Sequence, residues 1–471
     1  MQLTEERHGR ARTMDLNFEC IVNMNMEVPM HVARIARELE ARGHHAYVVG
    51  GAVRDSLLGR TPKDWDICTS ATPDDVEDIF GGSAVPTGKR YGTVTILSAD
   101  HDPVEVTTFR KDGTYSDGRR PDVVVFSSDV RDDLARRDFT VNALAYDVRR
   151  GAVLDCYNGL GDLKAQVIRA VGDPCARFQE DSLRMLRAVR LGAELGFAIA
   201  SGTLAAIESN HEAITRISWE RIREELSAML ISPRAGDSIR IAEETGLLRH
   251  IIPELQACIA APAGPPGAGT VFDHSLKVTD IVEPVLHLRL AALLHDVGKP
   301  ATLGRDASGA TRFFGHEKVG AALARQALER LRYAGELVRR VTLLIERHMF
   351  TCDPATKDRG IRRIVATLGI DVIRDLAKLR EAERTALGAG PGPDSNMAAF
   401  LARVEDVMSE DPVLSVRDLA VNGNDVMEVL GVPEGPQVGK ALSRLLDAVL
   451  EDPELNSRER LLPLLQDMKG T

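Results

Sequence analysis

Two aspartates separated by one residue, Asp64 and Asp66, follow a short apolar and basic stretch. In a β-strand, residues two apart face the same side, so both carboxylates would converge while Trp65 and Ile67 point into the core. Two carboxylates this close repel each other, and a pair of divalent cations would relieve that repulsion. Two metals about 3.5–4 Å apart serve in-line displacement at phosphorus, and oxygen ligands favour Mg²⁺. We therefore predict that Asp64 and Asp66 hold two Mg²⁺ ions.

Two neighbouring features support the same chemistry. Gly50 and Gly51 close the apolar run AYVV and precede a predicted helix, where free N–H groups accept phosphate. Glu105 lies between two valines of a predicted strand, so its carboxylate faces away from the core. A D-x-D pair alone most often marks a solvated strand end, and Glu105 alone could be a surface residue. The order of the Gly-Gly corner, the helix, the D-x-D pair and the strand with Glu105 indicates a nucleotidyl transferase palm. In such a palm, a hydroxyl attacks the α-phosphate of a nucleoside triphosphate and pyrophosphate leaves.

The elements that position these residues can be predicted from hydrophobic periodicity and turn residues. Short strands, short helices and one hairpin alternate up to about residue 175, after which helical periodicity takes over. The chain is therefore predicted to be α+β, with a small mixed-sheet head followed by an elongated all-helical body. The head elements are predicted as helix 31–42, strand 46–49, helix 53–59, strand 65–70, helix 74–80, hairpin strands 92–97 and 104–109, and loop 110–122.

Two stretches rich in glycine and proline, AAPAGPPGAG and GAGPGPDS, break the helical body at 260–269 and 388–395. They divide the chain into segments that we treat as candidate domains. The predicted order is an N-terminal extension 1–28, the head 29–175, a helical neck 176–259, a histidine-bearing helical segment 270–387 and a C-terminal helical tail 396–471.

The bulk composition excludes several classes of protein. The 471 residues suffice for about three domains, and the hydrophobic content of 44% is ordinary for a soluble globular protein. The sequence has no membrane-spanning run of about 18 apolar residues and no apolar signal-peptide core. Six scattered cysteines without a C-x-x-C pair indicate free thiols and a cytoplasmic location. The net charge of −11 alone points away from nucleic acid, although local arginine clusters matter more than the sum.

Four stretches resemble, in order, the motifs of the class II CCA-adding tRNA nucleotidyltransferases and their relatives, the bacterial poly(A) polymerases. They are GGAVRDSLLGRTPKDWDI (50–67), RRDFTVNALAYD (136–147), RFQEDSLRMLRAVRLGAELGF (177–197) and RISWERIREEL (216–226). The resemblance implies a polymerase-beta-like head that builds C-C-A on the tRNA 3′ end from CTP and ATP, without a nucleic-acid template. It also implies Arg54 near the triphosphate, and Arg137, Asp138 and Asn142 near the ribose, with Arg136 on ribose or phosphate.

Without a template, the protein itself must select the base. The resemblance assigns this role to Asp181 and Arg184, which are spaced to share one helix face, and places Arg187 beside them. An aspartate accepts from the amine of cytosine or adenine, and an arginine donates to the adjacent ring nitrogen. Uracil and guanine present their donor and acceptor groups in the opposite order. They would leave the buried aspartate and arginine unpaired, which costs on the order of 1–3 kcal/mol.

Three alternatives remain open from the sequence. The first is an A-adding enzyme or a poly(A) polymerase, although GKRYGTVTIL (88–97) lacks the basic R-R-F-type stretch of the polymerases. The second is an HD-type phosphohydrolase acting on RNA ends, with a head that only binds RNA. The third is a non-catalytic tRNA-binding protein. A CC-only enzyme is disfavoured, because the polar loop 110–122 is not shortened.

The histidine-bearing segment resembles an HD metal-dependent phosphohydrolase domain in FDHSLKV (272–278), AALLHDVGKP (291–300) and FFGHEKVG (313–320). The resemblance implies His274, His295 and Asp296 as metal ligands, with His316 and His348 lining the same cleft. Glu383 stands where that family has its last aspartate, so the ligand geometry would differ. Imidazole with carboxylate suits Mn²⁺, Ni²⁺, Co²⁺ or Fe²⁺. The alternative is a fossil domain kept for packing and tRNA contact.

The tail contains GVPEGPQVGKAL (431–442), in which glycines flank a predicted helix start and Lys440 lies in the predicted first turn. Such a turn can present N–H groups to a phosphate backbone, although an ordinary helical connection explains the pattern equally well. The family resemblance implies contacts with the acceptor stem, the elbow and the 3′ end of tRNA. The sequence does not indicate an oligomeric state.

Overall fold

A computed structural model of the protein describes residues 21–98, 101–113, 122–264, 269–307, 309–350, 353, 355–388, 395–409 and 413–468. The chain divides into two compact units. One unit comprises 1–234 and 238–251, and the other comprises 235–237 and 252–471. The centres of the two predicted linkers, 265–268 and 389–394, lie outside the described residues, as does the N-terminal extension up to residue 20.

A mixed eight-stranded sheet forms the centre of the first unit. Its strands run in the order β1-β10-β9-β2-β3-β6-β5-β4, and a separate pair, β7 and β8, forms a two-stranded ribbon. The strands are β1 (Ile21–Asn23), β2 (Ala46–Val49), β3 (Asp66–Thr69), β4 (Ala84–Gly88), β5 (Thr93–Ser98), β6 (His101–Thr108), β7 (Arg110–Asp112), β8 (Val124–Phe126), β9 (Leu144–Asp147) and β10 (Ala152–Asp155).

The pairing of β3 with β6 positions the acidic side chains. These strands are parallel, and their register places Asp66 opposite Glu105 and Ile67 opposite Val106. Ile67 and Val106 are fully buried, whereas Glu105 is exposed. Strands β5 and β6 form the predicted antiparallel hairpin. The alternation of the sequence is thus confirmed: apolar residues of these strands enter the core and the acidic ones do not.

Five helices accompany the sheet: α1 (Met30–Ala41), α2 (Gly51–Leu57), α3 (Pro73–Phe80), α4 (Val130–Ala135) and α5 (Gly159–Ala165). The Thr72-Pro73 helix start is confirmed, since Thr72 and Asp75 form a capping box at the start of α3. Helix α2 begins at Gly51, two residues earlier than the sequence indicated. Gly50 precedes it with a positive φ of 75°, a conformation that favours glycine.

Two sequence predictions about the head need correction. The stretch 110–122 is not a loop throughout, because Arg110–Asp112 is a strand that pairs antiparallel with Val124–Phe126. Its middle, 114–121, lies outside the described residues. Asp64 lies two residues before β3 rather than within it, so strand alternation applies to Asp66 but not to Asp64.

Helices and one short parallel strand pair complete the first unit. They are α6 (Pro174–Glu180), α7 (Leu183–Leu195), α8 (Ser201–Asn210), α9 (Trp219–Ile231), α10 (Ala235–Glu244) and α11 (Leu248–Ile251), with β11 (Val167–Ile168) pairing β12 (Ala198–Ile199). The prediction that EDSLR lies on one helix is wrong. Asp181 ends α6 in an extended conformation, and α7 begins only at Leu183.

In its described residues, the second unit is helical apart from one small hairpin of β13 (Leu303–Arg305) and β14 (Thr311–Phe313), which the sequence did not indicate. Its helices are α12 (Gln256–Ala260), α13 (Val271–Ile281), α14 (Leu286–Leu294), α15 (His316–Arg330), α16 (Gly335–Arg347), α17 (Asp358–Leu368), α18 (Ile370–Ala386), α19 (Ser395–Ser409), α20 (Gly423–Leu430), α21 (Pro436–Glu451) and α22 (Arg458–Asp467). The mixed-sheet head and the helical body are therefore confirmed.

Two further observations concern the helices. In the described residues, no helix is long and apolar enough to cross a membrane. The helix start predicted in the tail is present, because α21 begins at Pro436 after Gly435. Lys440 is the fifth residue of that helix and is exposed, so it lies just beyond the first turn where the sequence had placed it.

Candidate functional site

Three carboxylates gather at the end of β3. Asp66 is half-buried in the strand, Glu105 stands opposite it on β6, and Asp64 is exposed just before it. Burial raises the pKa of Asp66 to about 6; Arg137 opposes this rise, and the charges of Glu105 and Asp64 add to it. The three side chains are thus close enough to repel one another. A divalent cation would remove this repulsion, and carboxylate oxygens are the ligands that hard cations prefer, so the group fits a metal site.

Gly50 brings the glycine corner against this acidic group. A Cβ atom at Gly50 would lie 3.0 Å from Nη1 of Arg137 and 3.9 Å from Oδ2 of Asp66. The absence of a side chain at Gly50 therefore leaves room for the Arg137 side chain beside Asp66. Glycine suits this position both for its φ and for the missing side chain.

Asp133, which the sequence reasoning missed, holds the two arginines of the RRD stretch. It is fully buried on α4, with Nη2 of Arg136 2.6 Å from its Oδ1 and Nη2 of Arg137 3.1 Å from its Oδ2. Burial would raise the pKa of Asp133, but the two guanidinium groups lower it below its usual value. The spacing of three and four residues between Asp133 and the arginines was present in the sequence, although both arginines lie beyond the last residue of α4.

A continuous chain of polar contacts links Arg54, just after the glycine corner, to Arg187 in the 177–197 motif. Arg54, nearly buried, donates from Nη1 to Oδ1 of Asn142 at 2.7 Å. The Asn142 amide donates to Oδ1 of Asp138 at 3.0 Å. Arg187 donates to Oδ2 of Asp138 from Nη2 at 2.6 Å and from Nε at 2.9 Å. Four of the residues predicted from the family resemblance thus form one network.

The two predicted base-reading residues have other partners in this structure. Nη2 of Arg221 donates to Oδ2 of Asp181 at 2.7 Å. Arg184 pairs with Glu180 and donates from Nη2 to the carbonyl oxygen of Arg136 at 3.0 Å. Asp181 and Arg184 both remain partly accessible. Arg221 and Glu180 lie within stretches quoted for the resemblance, but the sequence reasoning did not single them out.

The HD segment brings six potential metal ligands together. His274, His295 and Glu383 form one group, and Asp296, His316 and His348 form another; within each group the ligand atoms lie within 4.8 Å of one another. All except Glu383 are buried. In the described residues, Oδ1 of Asp296 is buried without a hydrogen bond. Unpaired buried polar atoms of this kind fit a bound cation.

The pKa shifts in this segment follow from burial and from Asp296. Burial, followed by the charge of His295, lowers the pKa of His274 to about 4 and that of His348 to about 3. Burial would also lower the pKa of His295, but the Asp296 carboxylate raises it to about 9. Asp296 itself has a lowered pKa, because His295 and Lys299 outweigh its burial. Lys299, which the sequence reasoning missed, places Nζ 2.7 Å from Oδ2 of Asp296.

Three family models match successive segments of the chain. The family model described as the poly A polymerase head domain matches residues 46–169. A probable RNA and SrmB-binding site of polymerase A matches 196–259, and an HD domain matches 271–387. Together with the carboxylates on the mixed sheet, these matches define the class of protein, a nucleotidyltransferase with an HD domain. Such enzymes depend on a divalent metal ion.

Comparisons with whole proteins narrow the class to one family. The chain is 34% identical to the CCA-adding enzyme of Limosilactobacillus fermentum, covering 91% of this chain and 94% of that protein. It is 32% identical to that of Geobacillus stearothermophilus, covering 93% and 96%. The crystal structure of the Bacillus stearothermophilus CCA-adding enzyme in complex with CTP superimposes with a TM-score of 0.70 at 29% identity, covering 94% of this chain and 98% of that one. This chain therefore belongs to the family of CCA-adding enzymes.

Proposed function

We propose that the head of this chain adds C, C and A to the 3′ end of tRNA from CTP and ATP without a nucleic-acid template. The observation that carries the proposal is the trio of Asp64, Asp66 and Glu105 beside the Gly50 corner. The related enzyme of Bacillus stearothermophilus was solved with CTP, which supports CTP as one substrate. An A-adding enzyme or a poly(A) polymerase is not favoured, because the relatives that span the chain are CCA-adding enzymes.

Asp64 and Asp66 are proposed to hold two Mg²⁺ ions, with Glu105 as a further carboxylate. Magnesium supplies charge neutralisation at phosphorus and lowers the pKa of the attacking hydroxyl. The protein's own contribution is to fix the carboxylates of Asp66 and Glu105 on adjacent parallel strands before substrate binds, with Asp64 just ahead of β3. Gly50, Gly51 and Arg54 are proposed to lie beside the triphosphate, where their backbone and guanidinium groups can donate to it.

Arg137, Asp138 and Asn142 are proposed to contact the ribose, and Asp181 with Arg184 to read the base, with Arg187 holding Asp138. A carboxylate has about four acceptor sites, so Asp181 can keep Arg221 and still accept from the base amine. Arg184 uses two of its donors on neighbouring carbonyl oxygens and one on Glu180. The pocket would then select C and A over U and G, because Asp181 accepts from the base amine and Arg184 donates to the adjacent ring nitrogen.

The HD segment is proposed to hold a divalent ion through His274, His295, Asp296 and Glu383. Mn²⁺, Ni²⁺, Co²⁺ and Fe²⁺ suit this mixture of imidazole and carboxylate. Each histidine ligand must be neutral and each carboxylate charged. A cytoplasmic location is part of the proposal, since the four cysteines in the described residues (Cys68, Cys156, Cys175 and Cys258) are free thiols.

The test uses tRNA transcripts ending before CCA, after C and after CC. Each is incubated with Mg²⁺ and CTP, ATP or both, and the products are sized at single-nucleotide resolution. We expect completion to CCA from every primer, with addition stopping there. Addition of A only to the CC-ending transcript, long A tails, or no addition would each overturn the proposal in favour of a different activity.

The variant Asp64→Ala tests whether the head carries this activity. We expect incorporation to fall by about 10³-fold or more, since the metal pair loses a ligand. The exposed Asp78→Ala, on α3, is the matched control and should retain full activity. An Asp64→Ala protein with the wild-type rate would remove the head carboxylates from the reaction.

A further inference from the structure

Arg137 lies between two carboxylates of the head, Asp133 on α4 and Asp66 on β3. Nη2 of Arg137 is 3.1 Å from Oδ2 of Asp133. A Cβ atom at Gly50 would lie 3.0 Å from Nη1 of Arg137 and 3.9 Å from Oδ2 of Asp66, so these two atoms border the same small space. The guanidinium is thus bonded to one carboxylate while it faces a second one, which is proposed to bind metal.

A guanidinium group competes with a metal ion for a carboxylate, because it can form two parallel charge-assisted hydrogen bonds to the same oxygens. Arg137 has donors available for such a pair. In the described residues, only its Nη2 makes a side-chain hydrogen bond, and its Nε is buried without one. If Arg137 turned from Asp133 to Asp66, it would occupy oxygen atoms that the proposed Mg²⁺ ions need.

The contacts of Asp133 oppose that movement. Its side chain is fully buried, and each of its oxygens serves a different arginine. Oδ1 accepts from Nη2 of Arg136 at 2.6 Å and from Nε at 3.0 Å, and Oδ2 accepts from Nη2 of Arg137 at 3.1 Å. Removing one partner of a buried charged group is costly, so Arg137 is firmly tethered to Asp133.

We propose that Asp133 is a positioning residue of the nucleotidyl transfer site, which holds Arg137 away from Asp66 and so keeps that carboxylate open to the metal ion. The inference rests on the proposed function, because it assumes that Asp66 binds metal. In the tethered position, Arg137 keeps Nη1 and Nε as donors for a ribose or phosphate oxygen of the nucleotide. Asp133 itself acts only through Arg137.

The variant Asp133→Asn should release Arg137 rather than Arg136. The remaining carbonyl oxygen can keep both bonds from Arg136, and the new NH₂ group then faces Nη2 of Arg137, which is also a donor. A partly buried guanidinium without a partner is costly. We therefore expect the released Arg137 to pair with Asp66, the carboxylate beside its Nη1.

Binding of Tb³⁺ to the full chain reports on the head carboxylates without any turnover. Tb³⁺, like Ca²⁺, is a hard cation that takes carboxylate oxygens, and it emits when a tryptophan close to it is excited. Trp65 stands between Asp64 and Asp66 in the chain, and the other tryptophan, Trp219, lies outside the HD segment. The sensitised emission that Asp66→Asn abolishes is assigned to the head, and its titration gives the dissociation constant.

The effect of Asp133→Asn on this constant is measured with Arg137 present and with Arg137→Gln. Losing one negative charge near the site weakens cation binding to a similar extent in both backgrounds. Only a released Arg137 adds to that loss. We therefore expect Asp133→Asn to weaken Tb³⁺ binding at least about tenfold more when Arg137 is present than when it is replaced.

The same variant should raise the Mg²⁺ concentration that gives half the maximal rate of nucleotide addition. Part of kcat should return at high Mg²⁺, because the metal then displaces the guanidinium from Asp66. A general folding defect would instead lower kcat at every Mg²⁺ concentration. Circular dichroism and thermal unfolding check the fold of each variant.

Asp132→Asn is the matched control. Asp132 precedes Asp133 on α4 and undergoes the same change of charge, but it pairs with Lys111 at 3.2 Å and accepts a hydrogen bond from Ser127. It should weaken Tb³⁺ binding equally in both backgrounds. Arg137→Gln alone does not depend on the folding of Asp133→Asn. Because it removes a cation near the site, it should bind Tb³⁺ at least as tightly as the wild type.

Equal weakening by Asp133→Asn in the two backgrounds would overturn the proposal and leave Asp133 as a structural partner of two arginines. Weaker Tb³⁺ binding by Arg137→Gln would also overturn it, since Arg137 would then support Asp66 rather than compete for it. A wild-type chain without sensitised emission would remove the proposed metal site itself, and the inference with it. The failure of the inference is thereby distinguished from the failure of the proposed function.

Discussion

Asp66 is the most constrained of the three head carboxylates. It lies within β3, opposite Glu105, and next to the space that a side chain at Gly50 would fill. Asp64 lies outside the strand and is exposed, so its orientation is less restricted. Burial raises the pKa of Asp66 to about 6 and its acidic neighbours add to the rise, so a positive charge near the three carboxylates would be favourable. A bound cation would reverse that shift.

Replacing Glu105 with Gln removes one of the three charges while keeping the size of the side chain. Glu105 is exposed, so the fold should be little affected. If Glu105 contributes to metal binding, kcat for nucleotide addition should fall about 10- to 100-fold, and a higher Mg²⁺ concentration should restore part of it. Rates measured against Mg²⁺ concentration check this prediction. The control is Asp102→Asn, exposed on the same strand, and an equal loss in both variants would contradict it.

Gly50→Ala tests the contact between the glycine corner and Arg137. The new Cβ would lie 3.0 Å from Nη1 of Arg137 and would also occupy a backbone conformation with φ of +75°. We expect kcat/KM for CTP and ATP to fall more than tenfold. Gly43→Ala is the matched control, since Gly43 has φ of +90° and no atom within 4 Å of an added Cβ. Both changes place alanine at a positive φ that favours glycine, so a similar kinetic loss in both would assign the effect to strain alone.

At the scale of elements, the polar network of Arg54, Asn142, Asp138 and Arg187 joins α2, the turn before β9 and α7. Each of its members is at least partly buried, so each must find a partner within the protein. The network links helix α2, which begins at the glycine corner, to helix α7, which carries Arg184. The residues proposed to bind the nucleotide thus lie on different elements but share one set of contacts.

The Asp138–Arg187 pair should make stability depend on pH. Burial would raise the pKa of Asp138, but Arg187 and the Asn142 amide lower it below its usual value. Because the folded pKa lies below the unfolded value of about 3.9, the pair stabilises the fold above about pH 4. This contribution is lost as the pH falls from about 4 toward the folded-state pKa.

Urea unfolding of the wild type and Asp138→Asn at pH 7, 5, 4 and 3 measures this contribution. At pH 7 the variant should be less stable by about 1–3 kcal/mol, because Arg187 loses a charged partner. The difference should shrink below about pH 4. The exposed Asp78→Asn should follow the wild type at every pH. A difference for Asp138→Asn that stays constant down to pH 3 would contradict the predicted role of the carboxylate charge.

Elements with strong hydrophobic periodicity could be predicted from the sequence. Elements whose ends depend on contacts between residues distant in sequence could not. Helix α1, strand β2 and the β5–β6 hairpin follow from apolar spacing and turn residues. The break at Asp181 could not be predicted, because EDSLR has the spacing of a helix and its end is fixed by partners distant in sequence, such as Arg221. Strand β7 was missed because its polar residues pair with β8 across a stretch of loop composition.

The same distinction holds for the site. The head carboxylates, the glycine corner and the predicted metal ligands of the HD segment could be proposed from the sequence, because they lie in motifs of recognisable spacing. Asp133 and Lys299 could not be assigned a role, since each acts on a neighbour, Asp133 on two arginines and Lys299 on Asp296. The pairing of Nε2 of His316 with Nε2 of His348 also required coordinates, because it depends on which ring nitrogen faces a backbone carbonyl.

At the scale of the whole molecule, charge argues against general affinity for RNA. The chain carries 59 lysines and arginines against 70 aspartates and glutamates, giving a net charge of −11. Non-specific binding to a phosphate backbone depends on cations that displace counterions, and a negative protein offers little average attraction. Affinity for tRNA must therefore come from local arginine and lysine groups that match its shape, as expected for recognition of A-form RNA.

This reasoning predicts that tRNA and random duplex RNA of the same length differ in affinity at physiological salt. We expect tRNA to bind at least about tenfold more tightly near 0.15 M salt, because few phosphate contacts survive screening unless they are correctly placed. Fluorescence anisotropy at about 0.05 and 0.2 M salt gives both affinities and their salt slopes. The random duplex should lose binding as salt rises, while tRNA keeps a contribution from shape. Equal binding of the two RNAs near 0.15 M salt would contradict the prediction and would indicate a general basic surface despite the acidic total.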